Sequence, residues 1–376
     1  DIQNFIDKKS EELGLKLKAC ILIGGNKNSD IKIGQNETPK LISEISGNHG
    51  GSLSNAIKLI KRAAKNGTDL IKLQTYDPNN LTLNSSRPEF VIKDKKNLWR
   101  KNKLYNLYSK GQTLREWHYK IFQEARKNKI ECFSSVFDET DIEFLEKFKV
   151  PAYKISSFES THYPLIEKVL KTKKPILIST GLNTLKELDK LISFLKKKNC
   201  KNFGILKCTS SYPANFKDLN LSTIKDMISR YGCEVGFSDH SIGFNAVIGS
   251  IHQGASFVEK HICLNQKIGI DSKFSLKVDK IKTLKDEMSL AYKSKGTVFY
   301  GPTKNELSYI RFRRSIYAAK RIKKGEKFTK ENIKIIRPAF GLEPIYYNFL
   351  LGKKSKKSIS FASPIKWNYV SNSKKK

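Results

Sequence analysis

The sequence predicts an α/β fold, a closed (β/α)8 TIM barrel followed by a small second domain, and three observations carry that prediction. Eight short apolar runs recur along the chain, most are separated by amphipathic stretches long enough for a helix, and each run ends in polar or charged residues. The runs are PKLISEIS (39–46), DLIKLQT (69–75), IECFSSV (130–136), AYKISS (152–157), PILIST (175–180), FGILKCT (203–209), EVGFSD (234–239) and ASFVEKH (255–261). Helical spacing of apolar residues marks 54–66, 114–128 and 184–198. Eight strand–helix units close a parallel barrel, whose active site lies at the carboxyl ends of the strands. Those ends carry Glu44, Lys72, Gln74, Ser135, Lys154, Ser157, Ser179, Asp239, His240, Lys260 and His261. The chain therefore reads as an enzyme.

Length and composition agree. The 376 residues leave room for one barrel of about 250 residues and a smaller domain. The expected division is an N-terminal extension (1–35), the barrel (36–295), a linker (296–310), the small domain (311–370) and a basic tail, SNSKKK (371–376). In the extension, DIQNFIDKKSEELGLKLKACILIGG suits a helix and a strand, and NKNSDIKIGQNETP a loop. It reads equally as the end of a preceding domain, and no role follows from it.

No apolar run approaches the roughly 20 residues that span a bilayer. The six cysteines lack CxxC spacing, and Cys132 and Cys208 fall inside predicted strands. Both facts favour reduced, packed thiols and a cytoplasmic protein. No signal peptide opens the chain, which begins at Asp1 rather than Met, as a piece cut from a longer polypeptide would. The formal charge of +35 comes mostly from lysines spread over helix faces and loops, a solvated surface that also attracts anionic substrates. No zinc finger, helix-turn-helix or RNA-binding signature supports a specific nucleic-acid partner.

Five motifs carry chemistry. SEISGNHGG (43–51) ends a strand in a glycine-rich turn beside Glu44 and His49, with Ser52 placed to cap the next helix; so many glycines suggest a backbone held close to a ligand. KLQT (72–75) and YKISSFE (153–159) each put a lysine near a strand end, where burial is rare without a partner, and suggest a phosphate or carboxylate. Ser135, Ser157, Ser179, Thr209 and Ser210 add hydroxyl donors around such a group, and Glu159 is placed to move protons or hold a sugar hydroxyl. GFSDHS (236–241) and VEKH (258–261) end adjacent strands in His240 and His261, which suit a divalent ion with Asp239 or Glu44 nearby and water completing its shell.

Read in order, these motifs, together with CFSSVFD (132–138), LISTG (177–181) and KCTSSYP (207–213), resemble the sialic acid synthase family over residues 31–368. The stretch 311–344 resembles the antifreeze-like (SAF) domain that follows the barrel in that family. The resemblance implies condensation of phosphoenolpyruvate with an acylated amino sugar, giving a nonulosonic acid and phosphate. Lys72, Lys154, Ser135, Ser157, Ser179, Ser210 and Ser238 would surround phosphoenolpyruvate; His240 and His261 would bind Mn²⁺, with Mg²⁺ or Co²⁺ as substitutes; Gln74, Phe137, Glu159, Tyr212 and Asp271 would face the sugar. Glu159, Glu44 and Lys154 are the implied catalytic groups. The family further implies a homodimer in which the small domain reaches the partner's site through Arg314, or the neighbouring Arg313. LWRKNKLYNLYSKGQTLREWH (98–118), Phe158 and DSKFSL (271–276) resemble the pseudaminic acid branch, which takes 2,4-diacetamido-2,4,6-trideoxy-L-altrose. The neuraminate and legionaminate branches, which take mannose-type sugars, are the alternative within the family. A non-catalytic basic scaffold is the alternative outside it, and the intact Lys72, Lys154, Glu159, His240 and His261 argue against that reading.

Overall fold

The computed structural model describes residues 21–24, 31–94 and 97–371. The helix expected before Cys20, Cys20 itself and residues 372–376 of the basic tail lie outside the described residues. The chain divides into two compact units, Asp1–Gly296 and Thr297–Lys376.

In the first unit all eight predicted strands form. Two short strands precede them, β1 (Ile21–Ile23) and β2 (Ile31–Ile33). The barrel strands are β3 (Lys40–Glu44), β4 (Leu70–Thr75), β5 (Glu131–Val136), β6 (Tyr153–Ile155), β7 (Ile176–Ser179), β8 (Phe203–Cys208), β9 (Glu234–Asp239) and β10 (Phe257–Cys263). They pair in parallel in chain order, and β10 pairs with both β9 and β3, which closes the cylinder. A two-residue strand, β11 (Leu276–Lys277), adds to β10.

Helices cover the outside where the spacing predicts them. The segment 54–66 appears as Leu53–Lys65, capped by Ser52 through the Asn55 amide. The segment 114–128 becomes a single 3-10 turn, Arg115–Trp117, and then helix His118–Lys127. Helix Leu185–Lys197 begins with a capping box between Thr184 and Glu187 and buries Leu188, Leu191, Ile192 and Leu195, one stripe at a spacing of three and four.

Strand pleating sorts the side chains into two cores. Outward residues such as Ile71, Val235, Phe237 and Val258 pack under the helices. Inward, Ile42, Leu70, Phe133, Ala152, Leu177, Leu206 and Phe257 form an apolar floor together with Ile21, Ile23 and Ile33. The antiparallel β1–β2 pair thus belongs to the barrel interior. Ile31–Ile33 is a strand where the sequence suggested loop, because three residues are too few to show a period.

The second unit pairs β12 (Ser315–Ala318) antiparallel to β13 (Ile333–Ile336) around a core of Ile316, Ile322, Phe328, Leu350, Ile359 and Ile365. Among the described residues, no helix is long and apolar enough to cross a membrane.

Candidate active site

One pleat repeat above the apolar floor, the inward face turns polar. Two residues beyond each floor residue come Glu44, Lys72, Ser135, Lys154, Ser179, Cys208 and Glu259, and Ser238 on β9 joins them. They are all buried and interlocked. Lys72 pairs with Glu44 and donates to Ser135 Oγ at 2.8 Å; Lys154 donates to Ser179 Oγ at 2.7 Å. Glu259 lies between the two ammonium groups, 3.7 Å from each, and accepts from Ser238 Oγ at 3.3 Å. Sequence reasoning missed two members of this layer: Cys208, read only as a packed thiol, and Glu259. The signal for the second was present in VEKH, where period-two alternation puts Glu259 in phase with His261 and leaves Lys260 out of phase.

Charge is unevenly shared in this layer. Burial works against both lysines; for Lys72 the carboxylates of Glu259 and Glu44 outweigh it and hold the pKa up, whereas Lys154 is left below the ordinary lysine value. Burial also opposes charge on Glu259, but both lysines overcome it and hold its carboxyl down. Glu44 is pushed up to about 7, by burial first, against the pull of Lys72.

Above this layer sit the two histidines. Their ring centroids are 5.2 Å apart, and Phe274 packs beside both. His240 Nδ1 lies 3.1 Å from Thr209 O and 3.7 Å from Cys208 Sγ, so its hydrogen bonding is satisfied from one side. Burial opposes a proton on His240, but Cys208 and the Thr209 carbonyl outweigh it and raise the pKa; burial likewise opposes the Cys208 thiolate, and His240 outweighs it, leaving the thiol at about 7. His261 is held well below the ordinary histidine value, by burial first and then by His240 and the lysines. Its buried Nδ1 makes no hydrogen bond; Asp271 Oδ2 is 3.8 Å away. The Asp271 carboxyl accepts from Ser46, and burial raises it to about 6.

These observations bear on whether a divalent cation fits. Imidazoles at neighbouring strand ends, one with its Nδ1 fixed by a carbonyl and the other neutral with an unpartnered buried nitrogen, are the donor set such an ion needs. Among the described residues no group of three or more His, Cys, Asp or Glu forms a metal-holding cluster, so the protein would supply few ligands. Asp239, expected nearby, is not among them. It points outward, where Lys260 donates to it at 2.7 Å and the Ser241 amide at 2.8 Å.

Hydroxyls line one side of the mouth. Gly181 N donates to Ser157 Oγ at 3.0 Å, and a Cβ on Gly181 would come within 2.5 Å of Ser210 Oγ and 2.9 Å of Ser157 Oγ. Glu159 follows Ser157; burial pushes its carboxyl up to about 7 despite Lys154, and its Oε2 has no hydrogen-bond partner. Gln74 is half-buried two residues beyond Lys72, Phe137 packs edge-on against Tyr76 at 5.4 Å, and the Tyr212 ring lies tilted against His240 with centroids 4.5 Å apart. Apart from Asp239 and Lys260, which face outward, the site residues expected on the barrel lie at this end of it. Arg313 and Arg314 are exposed in the second unit, immediately before β12.

In the SEISGNHGG turn a Cβ on Gly47 would strike Ile270, and one on Gly50 would strike Ile268, so these two glycines admit the close approach of another loop of the same chain. His49 is buried and neutral, with burial lowering its pKa to about 4; its Nδ1 accepts from the Gly51 amide. Five cysteines, Cys132, Cys200, Cys208, Cys233 and Cys263, are free thiols, as their spacing predicts.

The NeuB family matches residues 59–300, and the SAF domain matches residues 313–370. The chain is 44% identical over 343 residues to the pseudaminic acid synthase of Campylobacter jejuni, covering 91% of this chain and 98% of that protein. It is 31% identical to the N,N'-diacetyllegionaminic acid synthase of the same species, covering 85% and 96%. In structure it is similar to the N-acetylneuraminic acid synthetase of Leptospira borgpetersenii crystallised with citrate, with a TM-score of 0.67, 27% identity and coverage of 78% and 97%. The chain belongs to the NeuB family, its barrel followed by a SAF domain.

Proposed function

We propose that this protein condenses phosphoenolpyruvate with 2,4-diacetamido-2,4,6-trideoxy-L-altrose, giving pseudaminic acid and phosphate. The observation that carries the reading is the buried layer of Lys72 and Lys154, each beside a serine hydroxyl, directly below two histidines. The 44% identity to a pseudaminic acid synthase, against 31% to a legionaminic acid synthase, favours the altrose-type sugar.

Lys72, Lys154, Ser135, Ser157, Ser179, Ser210 and Ser238 would hold the phosphate and carboxylate of phosphoenolpyruvate. Their contribution is positioning and charge stabilisation in a site closed to water on its inner side. Gln74, Phe137, Glu159, Tyr212 and Asp271 would line the sugar. C3 of phosphoenolpyruvate adds to the aldehyde carbon of the open-chain sugar, water adds at C2, and the resulting hemiketal phosphate loses phosphate by C–O cleavage. Glu159, near neutrality and with one oxygen unpartnered, suits the proton transfers. Glu44 would orient water near the histidines. A divalent cation on His240 and His261, Mn²⁺ in our reading, would supply Lewis-acid polarisation of the aldehyde. The working protein would be a cytoplasmic homodimer in which Arg314 or Arg313 reaches the partner's sugar; light scattering and Arg314→Ala test that arrangement.

The test of the reaction is phosphate release from phosphoenolpyruvate with Mn²⁺ and three sugars: the altrose, its 2,4-diacetamido-2,4,6-trideoxy-mannose counterpart and N-acetylmannosamine. Turnover with the altrose alone is expected. Preference for either mannose-type sugar would overturn the branch, and silence with all three would overturn the enzyme reading.

A further inference from the structure

The connection between β4 and β5, residues 76–130, is the longest between neighbouring barrel strands, and it folds back over the strand ends. Three contacts show where it goes. The Trp99 indole donates from Nε1 to Ile270 O at 3.0 Å, next to Asp271, and packs 5.3 Å from the Tyr212 ring. Tyr76 Oη donates to Tyr108 O at 3.0 Å, and the two rings lie 6.2 Å apart. The Tyr108 phenol is held above the ordinary tyrosine value, by burial first and then by the charge of Glu159. Trp99 thus packs on Tyr212, and Tyr108 on Tyr76, which in turn packs on Phe137; Tyr212 and Phe137 line the sugar in the reading above, and Trp99 and Tyr108 both remain partly exposed.

The wall they make is aromatic. With Tyr76, Phe137 and Tyr212 it forms a surface of ring faces and edges, and an aromatic face favours an apolar substituent over a hydroxyl that must give up water to approach it. A sugar deoxygenated at C6 presents a methyl group where ordinary hexosamines carry a hydroxymethyl group.

We propose that Trp99 and Tyr108 are specificity-determining residues, which contact the C6 methyl of the acceptor sugar and select a 6-deoxy sugar over its 6-hydroxy counterpart. The inference rests on the condensation proposed above and deepens it, by naming the substituent read and the residues that read it. Both residues lie on a connection outside the barrel strands, so their replacement leaves the lysine layer and the histidine pair untouched.

The experiment compares kcat/KM for 2,4-diacetamido-2,4,6-trideoxy-L-altrose and for the same sugar bearing a 6-hydroxyl, in the unaltered protein and in Trp99→Ala, Trp99→Phe and Tyr108→Ala. Rejection of an added hydroxyl by an apolar pocket reaches about 100-fold. We expect Trp99→Ala to shrink the preference by about tenfold or more, chiefly by raising KM for the deoxy sugar, with KM for phosphoenolpyruvate unchanged. Tyr108→Ala should shrink it less, and Trp99→Phe should keep most of it. An unchanged preference in both alanine variants overturns the inference and leaves the reaction standing. Equal loss in Trp99→Phe and Trp99→Ala also overturns it, because the effect would then come from the hydrogen bond to Ile270. No turnover of the deoxy sugar by the unaltered protein removes the reaction itself. Thermal melting of each variant separates lost selectivity from lost fold.

Discussion

Two sets of buried lysine pairs stand back to back across the wall of the barrel. Inside, Lys72 and Lys154 share Glu44 and Glu259. Outside, Lys260 pairs with Asp239 and also donates to Ser241 O, while the other Asp239 oxygen accepts from the Ser241 amide. They differ in what is left over. In the outer set the ammonium and both carboxylate oxygens are hydrogen-bonded, and only the Ser241 hydroxyl is left over. On the inner side, Glu44 Oε1, Glu259 Oε2, Glu159 Oε2 and His261 Nδ1 are buried without a hydrogen bond. Buried polar groups left unpaired cost free energy, and a fold tolerates them where a ligand will complete them. The contrast supports reading the outer pair as structure and the inner set as the site proposed above.

The largest effect that sharpens this contrast is expected at His261. His261→Ala should abolish metal-dependent turnover while the protein stays folded, since Nδ1 has no hydrogen-bond partner to lose and the loss is that of ring packing on His240 and Phe274. Titration of Mn²⁺ followed by electron paramagnetic resonance provides the second readout, with weakened binding expected. Unchanged binding would take the histidine pair out of the metal site.

Next come the two lysine sets themselves. Lys260→Met strands a buried aspartate and should cost about 3–5 kcal/mol in denaturant unfolding. Lys72→Met should cost at least about 2 kcal/mol less than that, because Glu44, already near 7, can neutralise itself by taking a proton. Turnover should respond in the opposite order, with Lys72→Met losing about 100-fold or more. Equal destabilisation by both substitutions would break the comparison.

The third prediction concerns pH. The folded pKa of Glu159 is about 7 against an ordinary 4.5, so between those values the folded state keeps a proton the unfolded state has lost. Its contribution is therefore a loss of stability as pH rises through that window, up to about 3 kcal/mol by pH 8. Glu159→Gln should recover part of that above pH 7, gain little near pH 4, and lose turnover by about 100-fold or more. His118, buried behind the sheet between Thr75 Oγ1 and Leu114 O, has the opposite sign. Burial lowers its pKa to about 4 against an ordinary 6.5, so its contribution is lost as pH falls through that range. Urea titrations at pH 4, 6 and 8 read both signs.

The sequence carried the barrel because a parallel strand covered on both sides is a short apolar run, and eight such runs are hard to mistake. It carried Lys72, Lys154, His240 and His261 because charged groups at the ends of such runs stand out. What it blurred was the face. Asp239 and Lys260 sit one residue from His240 and His261, and a reading by strand end groups them, although the pleat sends neighbours to opposite sides of the wall. Glu259 was hidden by the same crowding. His49 and its glycines, and Trp99 and Tyr108, were beyond local reading for another reason. Ile268 and Ile270 lie more than two hundred residues from the glycines they meet, Tyr212 lies more than a hundred from Trp99, and even Tyr108 meets Tyr76 across 32 residues.

The smallest effect tests whether the inner hydroxyls form a cradle or only fill space. Gly181 has its amide on Ser157 Oγ and lies against Ser210, and a methyl there would meet both hydroxyls inside 3.0 Å. Ser157 and Ser210 can rotate their hydroxyls away, so Gly181→Ala should fold with nearly unchanged stability. The displaced donors would then no longer face the bound anion, and KM for phosphoenolpyruvate should rise about tenfold, near 1.4 kcal/mol. KM for the sugar should hardly move, because Gln74, Tyr212 and the aromatic wall are untouched. A rise in both constants together would mean that the methyl distorts the whole mouth. A rise in neither would show that Ser157 and Ser210 face each other for packing, as Lys260 and Asp239 do outside the barrel, and would move them from the site to the structure.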